Sequence, residues 1–298
     1  MGGPVAAAPP RAADAVSVPP PLPDPTPKPA PRKPAPAPPT QPTPSSLRPS
    51  VRRELLLVVV FYAAYSLVRI LLNDPGGPAR AFANAAAVLD VERAMFLDVE
   101  LALNRALVAS EALSLAANLF YLGAHFAVTL AVLVWLYLAR ARHYAPLRTA
   151  LVAATGLALV GFWLYPLAPP RFLPSEGFLD PVTVFGTPGL YASDVSAAMT
   201  NQYAAMPSMH AGWALWCGIA LAVHGRRWWT RLLGVIYPVC TFAVVLATAN
   251  HYVLDVVAGV ALVLGALGAA LGAARFKTAP RLKAVPWVSA RFRRRPAR

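Results

Sequence analysis

Charge is what this sequence has least of: 13% of its 298 residues are Asp, Glu, Lys or Arg, against 57% hydrophobic residues. Soluble proteins average about 25% charged and about 45–50% apolar residues. A chain this apolar cannot keep its surface in water, so a soluble globular domain is excluded and a bilayer is the expected solvent. Cysteine is also scarce, with only Cys217 and Cys240. Both fall in apolar runs, where a free cysteine packs as a small hydrophobe, and their separation matches no metal-ligand spacing. Neither a disulfide framework nor a metal centre is expected. Acidic residues are few as well, 13 against 27 Lys and Arg, which leaves a net charge of +14. Such an excess raises the question of nucleic acid, but no basic face interleaved with aromatics is present. The positions of the charges point to membrane topology and anionic lipid head groups instead.

Proline is abundant and concentrated. Eighteen of the 32 prolines lie in residues 1–50, in runs such as "KPAPRKPAPAPP". Proline removes backbone donors and favours the polyproline II conformation, and this stretch has almost no bulky apolar residues to bury. Residues 1–50 are expected to be a disordered tail. No apolar core precedes a small-residue cleavage site there, so a signal peptide is not expected. The remainder divides into a membrane domain over 51–275 and a basic tail over 276–298.

Apolar runs of spanning length, about 20 residues each, occur at 54–72, 113–139, 149–168, 209–224, 232–249 and 252–274. With the N-terminus in the cytoplasm, the tails and the loops at 140–148 and 224–231 together hold 22 of the 27 Lys and Arg. The long 169–208 loop, placed outside, carries only Arg171. This bias satisfies the positive-inside rule and predicts an all-α polytopic protein with six transmembrane helices and both termini cytoplasmic. Residues 81–108 carry Val88, Val91, Met95 and Val99 at three- and four-residue steps, with Asp90, Glu92, Arg93, Asp98 and Glu100 mainly between them. That pattern predicts one amphipathic helix along the outer interface.

Three motifs fall at the same, extracytoplasmic, membrane surface. In "NHYVLD", His251 and Asp255 are four residues apart at a helix start and share a face. A carboxylate bonded to one imidazole nitrogen leaves the other free as nucleophile or base. In "AAMPSMHAGW", Pro207 and Ser208 suit a helix start, whose free amides favour an anion. His210 would sit in that first turn, poised as a general acid. In "YPLAPPRFLP", a proline-rich stretch carries Arg171, whose forked guanidinium matches phosphate oxygens. His125, mid-span, reads as a hydrogen-bonded packing residue at the wrong depth for this site, and His143 and His224 as residues of the cytoplasmic interface.

These motifs resemble the three signatures of the type 2 phosphatidic acid phosphatase superfamily, and more closely its inositol phosphorylceramide synthase-like branch. "PSMH" is similar to the family's Pro-Ser-x-His motif, "NHYVLDVVAG" to its His-x-x-x-Asp motif, and "APPRF" lies where the first motif belongs. The resemblance covers roughly residues 54–274. It implies a phosphohistidine formed on His251, oriented by Asp255, with His210 as acid and then base, and Arg171 and Ser208 holding phosphate oxygens. No cofactor or metal is implied. The implied substrate is a lipid-linked phosphate in the plasma membrane, and the partners are membrane lipids rather than nucleic acid. The chain departs from the family pattern in two cations: no lysine precedes Arg171 in "LYPLAPP", and Val245 stands where an arginine precedes the nucleophile. Met209 also replaces the glycine between Ser208 and His210. Hydrolysis and transfer of a phospho-head-group to an alcohol use the same histidines and both remain open, beside a non-catalytic or transport role.

Overall fold

A computed structural model of the chain describes residues 2–3, 48–71, 77–186 and 202–278. Most of the proline-rich tail, residues 187–201 of the long loop and nearly all of the basic tail lie outside these residues. The helices are α1 (Val51–Leu71), α2 (Gly77–Ala94), α3 (Glu100–Val108), α4 (Glu111–Ala139), α5 (Ala141–Leu164), the one-turn α6 (Pro181–Phe185), α7 (Met209–His224), α8 (Trp228–Ala247) and α9 (Val253–Thr278). Two 3-10 turns, Pro170–Phe172 and Pro174–Glu176, follow α5. No strand is present among the described residues beyond an isolated bridge between Leu167 and Ala204. The all-α expectation is met.

Four of these helices are long and apolar enough to cross a membrane: α4, α5, α8 and residues Val253–Phe276 of α9. Each turns apolar side chains such as Leu130, Val160, Val239 and Leu264 outward. α1, with 21 residues, and α7, with 16, form where the other two spans are expected.

The core lies where α4, α5, α7 and α9 meet, around Leu136, Leu147, Ala154, Trp216, Cys217 and Val263. Trp216 is wholly buried, and its indole N–H donates to the Leu147 carbonyl at 3.0 Å. Small residues let the helices approach closely, as is common in membrane bundles. A Cβ on Gly218 of α7 would lie 2.5 Å from the Gly234 carbonyl of α8. At the end of α5 nearest α1, Tyr144 and Arg148 both donate to Glu54, at 2.8 and 3.1 Å.

Residues 81–108 differ from expectation in two ways. They form two helices rather than one, because α2 ends in a Schellman turn. Leu97 N–H donates to the Glu92 carbonyl, Phe96 N–H to that of Arg93, and Phe96 takes a left-handed φ of 56°. The buried face is also rotated. Ala81, Ala85, Val88, Leu89 and Glu92 face inward, while Val91, Met95 and Val99 are exposed. Small residues set the inner face because α2 packs flat against Leu167, Ala168, Ala249 and Tyr252. Glu92 joins that face because it has a hydrogen-bond donor there, the Leu254 N–H.

Phe96 is 90% exposed, so its left-handed backbone has little packing to offset it. Replacing Phe96 by Gly should stabilise the protein by about 1 kcal/mol. Thermal unfolding in detergent should then show a midpoint about 2–4 °C higher.

Candidate active site

The site is built where three loops meet at the starts of α7 and α9 and the end of α8. α8 terminates in a second Schellman turn: Asn250 N–H donates to the Val245 carbonyl, Ala249 N–H to that of Leu246, and Ala249 has φ 52°. This reversal sends the chain directly into His251 and the first turn of α9. Asp255 closes that turn by accepting the Tyr252 N–H on Oδ2 at 3.0 Å, the reach-back of a capping box.

Asp255 Oδ2 also lies 3.3 Å from His251 Nδ1, and the Ala205 carbonyl lies 3.0 Å from the same nitrogen. A carbonyl only accepts, so Nδ1 carries the proton and Nε2 holds the lone pair. His251 is 4% exposed, and its Nε2 has no hydrogen-bond partner among the described residues. His210 faces it with ring centroids 5.8 Å apart, and its Nε2 is likewise buried without a partner. Two imidazole nitrogens without partners among the described residues thus lie on neighbouring rings.

The neighbouring segments are tied to this pair through the backbone. Ser208 N–H donates to the Asp255 carbonyl at 2.9 Å. Ser208 Oγ accepts the Ala211 N–H at 3.3 Å and so caps α7. The amides of Met209 and His210, in the first turn, have no intrahelical acceptor. Gly259 makes the approach possible, because a Cβ there would collide with the Ser208 carbonyl oxygen. Arg171, 7% exposed, donates from its backbone to the Ala249 carbonyl at 2.9 Å and from Nη1 to Asn250 Oδ1. Asn250 is held in turn by its Nδ2 on Thr248 Oγ1 at 2.8 Å. All five residues singled out in the sequence therefore converge on one place.

Residues 86–269 match the family model of the PAP2 superfamily, a span from within α2 to within α9. The chain belongs to the PAP2 superfamily. Members are generally phosphatases or phosphotransferases, which supports a phosphoryl-transfer enzyme in general terms. No curated protein and no solved structure matches the chain. The two cations that the resemblance leads one to expect, a lysine before Arg171 and an arginine at position 245, are absent from the sequence. Val245 is wholly buried against Ala211 and Val256 and supplies packing instead. Among the described residues, no group of three or more His, Cys, Asp or Glu is arranged to hold a metal.

The structure corrects the reading of His125. Its Nδ1 is hydrogen-bonded to the Tyr121 carbonyl at 3.2 Å, as a packing residue's would be. Its ring, however, lies 4.0 Å from that of His210, so its depth is that of the site. Tyr121 stacks on His210, with centroids 4.1 Å apart and planes 17° apart. Sequence reasoning missed both, although an ionisable residue inside an apolar span was the available signal. It also passed over Asn250 and Glu92. His143 and His224 do pair away from the site, with rings 4.2 Å apart.

Gly259→Ala forces α9 away from Ser208, an overpacking that should cost about 1–3 kcal/mol of stability. Because the shift falls between the two histidines, turnover by the folded fraction should drop by about tenfold or more. Thermal unfolding and turnover measured on the same purified sample test both effects.

Proposed function

We propose that this PAP2-superfamily protein is an integral membrane enzyme that transfers the phosphoryl group of a lipid-linked phosphate through a phosphohistidine on His251. The observation that carries this reading is the tautomer of His251: Nδ1–H is committed to Ala205 and Asp255, which leaves the Nε2 lone pair free on a ring 5.8 Å from that of His210. In the first step the Nε2 lone pair of His251 attacks phosphorus and the bond to the lipid oxygen breaks. The departing oxygen takes a proton from the His210 imidazolium. Asp255 stabilises the positive charge that develops on His251, as the carboxylate does in a hydrolase triad. Arg171 and the first-turn amides of α7 hold the non-bridging oxygens, with Ser208 fixing where those amides lie. In the second step water gives its proton to His210 and attacks phosphorus, and the N–P bond electrons return to His251. Transition-state charge is met by fixed donors already in position.

Six spans with both termini in the cytoplasm, and a site facing out of the plasma membrane, agree with the distribution of Lys and Arg along the chain. Exposed Val91, Met95, Phe96 and Val99 on α2 and the following turn suit an interfacial position for that layer.

Head-group transfer is the second reading, and one observation favours it. With no lysine in residues 164–170 and an apolar Val245, the site has fewer fixed cations than the usual monoester phosphatase. A phosphodiester carries less charge and needs fewer. In that case an acceptor alcohol replaces water in the second step, as in the inositol phosphorylceramide synthase-like branch.

Purified full-length protein should release phosphate from at least one lipid phosphate or pyrophosphate, or pass a head group from a diester donor to an alcohol. His251→Ala and His210→Ala should each lower turnover by about a thousandfold or more, and Asp255→Asn by about a hundredfold or more. Alkaline quench during turnover should trap phosphate on His251 in a base-stable, acid-labile form. Turnover that survives His251→Ala would overturn the covalent mechanism.

A further inference from the structure

Two acidic side chains that the chemical steps leave unused lie directly behind the nucleophile. Glu92 on α2 and Glu100 at the start of α3 are both wholly buried. Glu92 Oε1 accepts the backbone N–H of Leu254 at 2.6 Å, across 162 residues of sequence. Leu254 is the second residue of α9, and first-turn amides have no acceptor inside their own helix. Two amides at this helix start are thus tied by carboxylates, that of Tyr252 by Asp255 and that of Leu254 by Glu92. The His251–Asp255 couple is carried between them. Glu92 Oε2 and both Glu100 oxygens receive no well-aligned hydrogen bond from other described groups, and the two carboxyls lie against each other.

We propose that Glu92 and Glu100 form a proton-sharing positioning pair that fixes the first turn of α9, and with it the His251–Asp255 couple, from the α2–α3 layer. The proposal rests on the phosphohistidine reading for its kinetic consequences but not for its geometry. Two bare carboxylates in contact inside a protein repel and lack solvation, and retaining one proton between them removes both costs. Burial, followed by the contact with Glu100, pushes Glu92 up to about 9, and burial raises Glu100 as well. At neutral pH the pair therefore holds a proton, and above about 9 it loses it. The groups facing the pair are Asp255 and Tyr252 at the start of α9, and Asp98 in the turn before α3. Deprotonation adds a negative charge beside Asp255. The pair's own contribution to turnover is accordingly an alkaline fall centred near pH 9, separate from the dependence set at lower pH by the His210 imidazolium.

The test uses the full chain in detergent, as wild type, Glu92→Gln and Glu92→Ala. Glutamine keeps the oxygen that accepts from Leu254 and replaces the shared proton with amide protons that do not leave. Glu92→Ala should lower kcat at least tenfold with KM changed less than twofold. Glu92→Gln should keep at least a third of the wild-type kcat and lose the alkaline fall. Carbethoxylation of His251 by diethyl pyrocarbonate, followed by mass spectrometry, gives a readout that needs no substrate. Glu92→Ala should change its rate at pH 7 at least threefold, and Glu92→Gln less than 1.5-fold. Equal kcat in all three proteins, or equal losses in both variants with the alkaline fall retained, would overturn the proposal. If the wild type turns over no phosphate substrate, the functional reading fails by itself and the labelling ratios still decide the pair: equal labelling in all three proteins rejects it. Should Glu92→Ala not fold, Glu92→Gln alone decides, since a purely structural role leaves its pH profile like that of the wild type.

Discussion

His251 is fixed by a contact that leaves no choice of tautomer, because one of its Nδ1 partners is a backbone carbonyl. That carbonyl belongs to Ala205, in the segment that leads into α7, so the His251 ring is only as well placed as that segment. The segment is pinned on both sides: Leu167 N–H donates to the Tyr203 carbonyl, and Ser208 N–H to the Asp255 carbonyl. A side chain at Gly259, which lies against Ser208, would strain the second of these bonds. The placement of the segment that orients His251 thereby depends in part on the absence of one methyl group on α9.

Much of the site was legible because its information is local. His251 and Asp255 meet through helical spacing, Ser208 caps the helix that begins one residue later, and Arg171 follows a proline-rich turn. Residues brought in by packing between helices were not legible. α4 has 29 residues, roughly 43 Å of helix, against about 30 Å of hydrocarbon. Its ends therefore do not fix the depth of His125. Glu92 was hidden for a different reason. In a stripe of valines a glutamate reads as the solvated side, and only the Leu254 amide, 162 residues away, makes burial tolerable. The division of the 81–108 helix was equally silent, since Phe96 occupies a left-handed position where glycine is the usual signal.

Membership of the PAP2 superfamily gives this arrangement a chemical class, and the substitutions within it give it a character of its own. Val245 contributes its carbonyl twice, to Asn250 and His251 N–H, while its side chain packs against Ala211 and Val256. The backbone of that position shapes the reversal before His251 whatever side chain it bears.

Both hydrogen-bond acceptors of His251 lie on Nδ1, and neither depends on what Nε2 carries. The ring is held identically when Nε2 is bare, protonated or bonded to phosphorus. In the reading proposed here, moving between the two half-reactions needs no side-chain rotation and no exchange of partners, only a change of charge at a fixed point. The protein's part in the cycle then resembles that of an electrode, and what must move is the lipid.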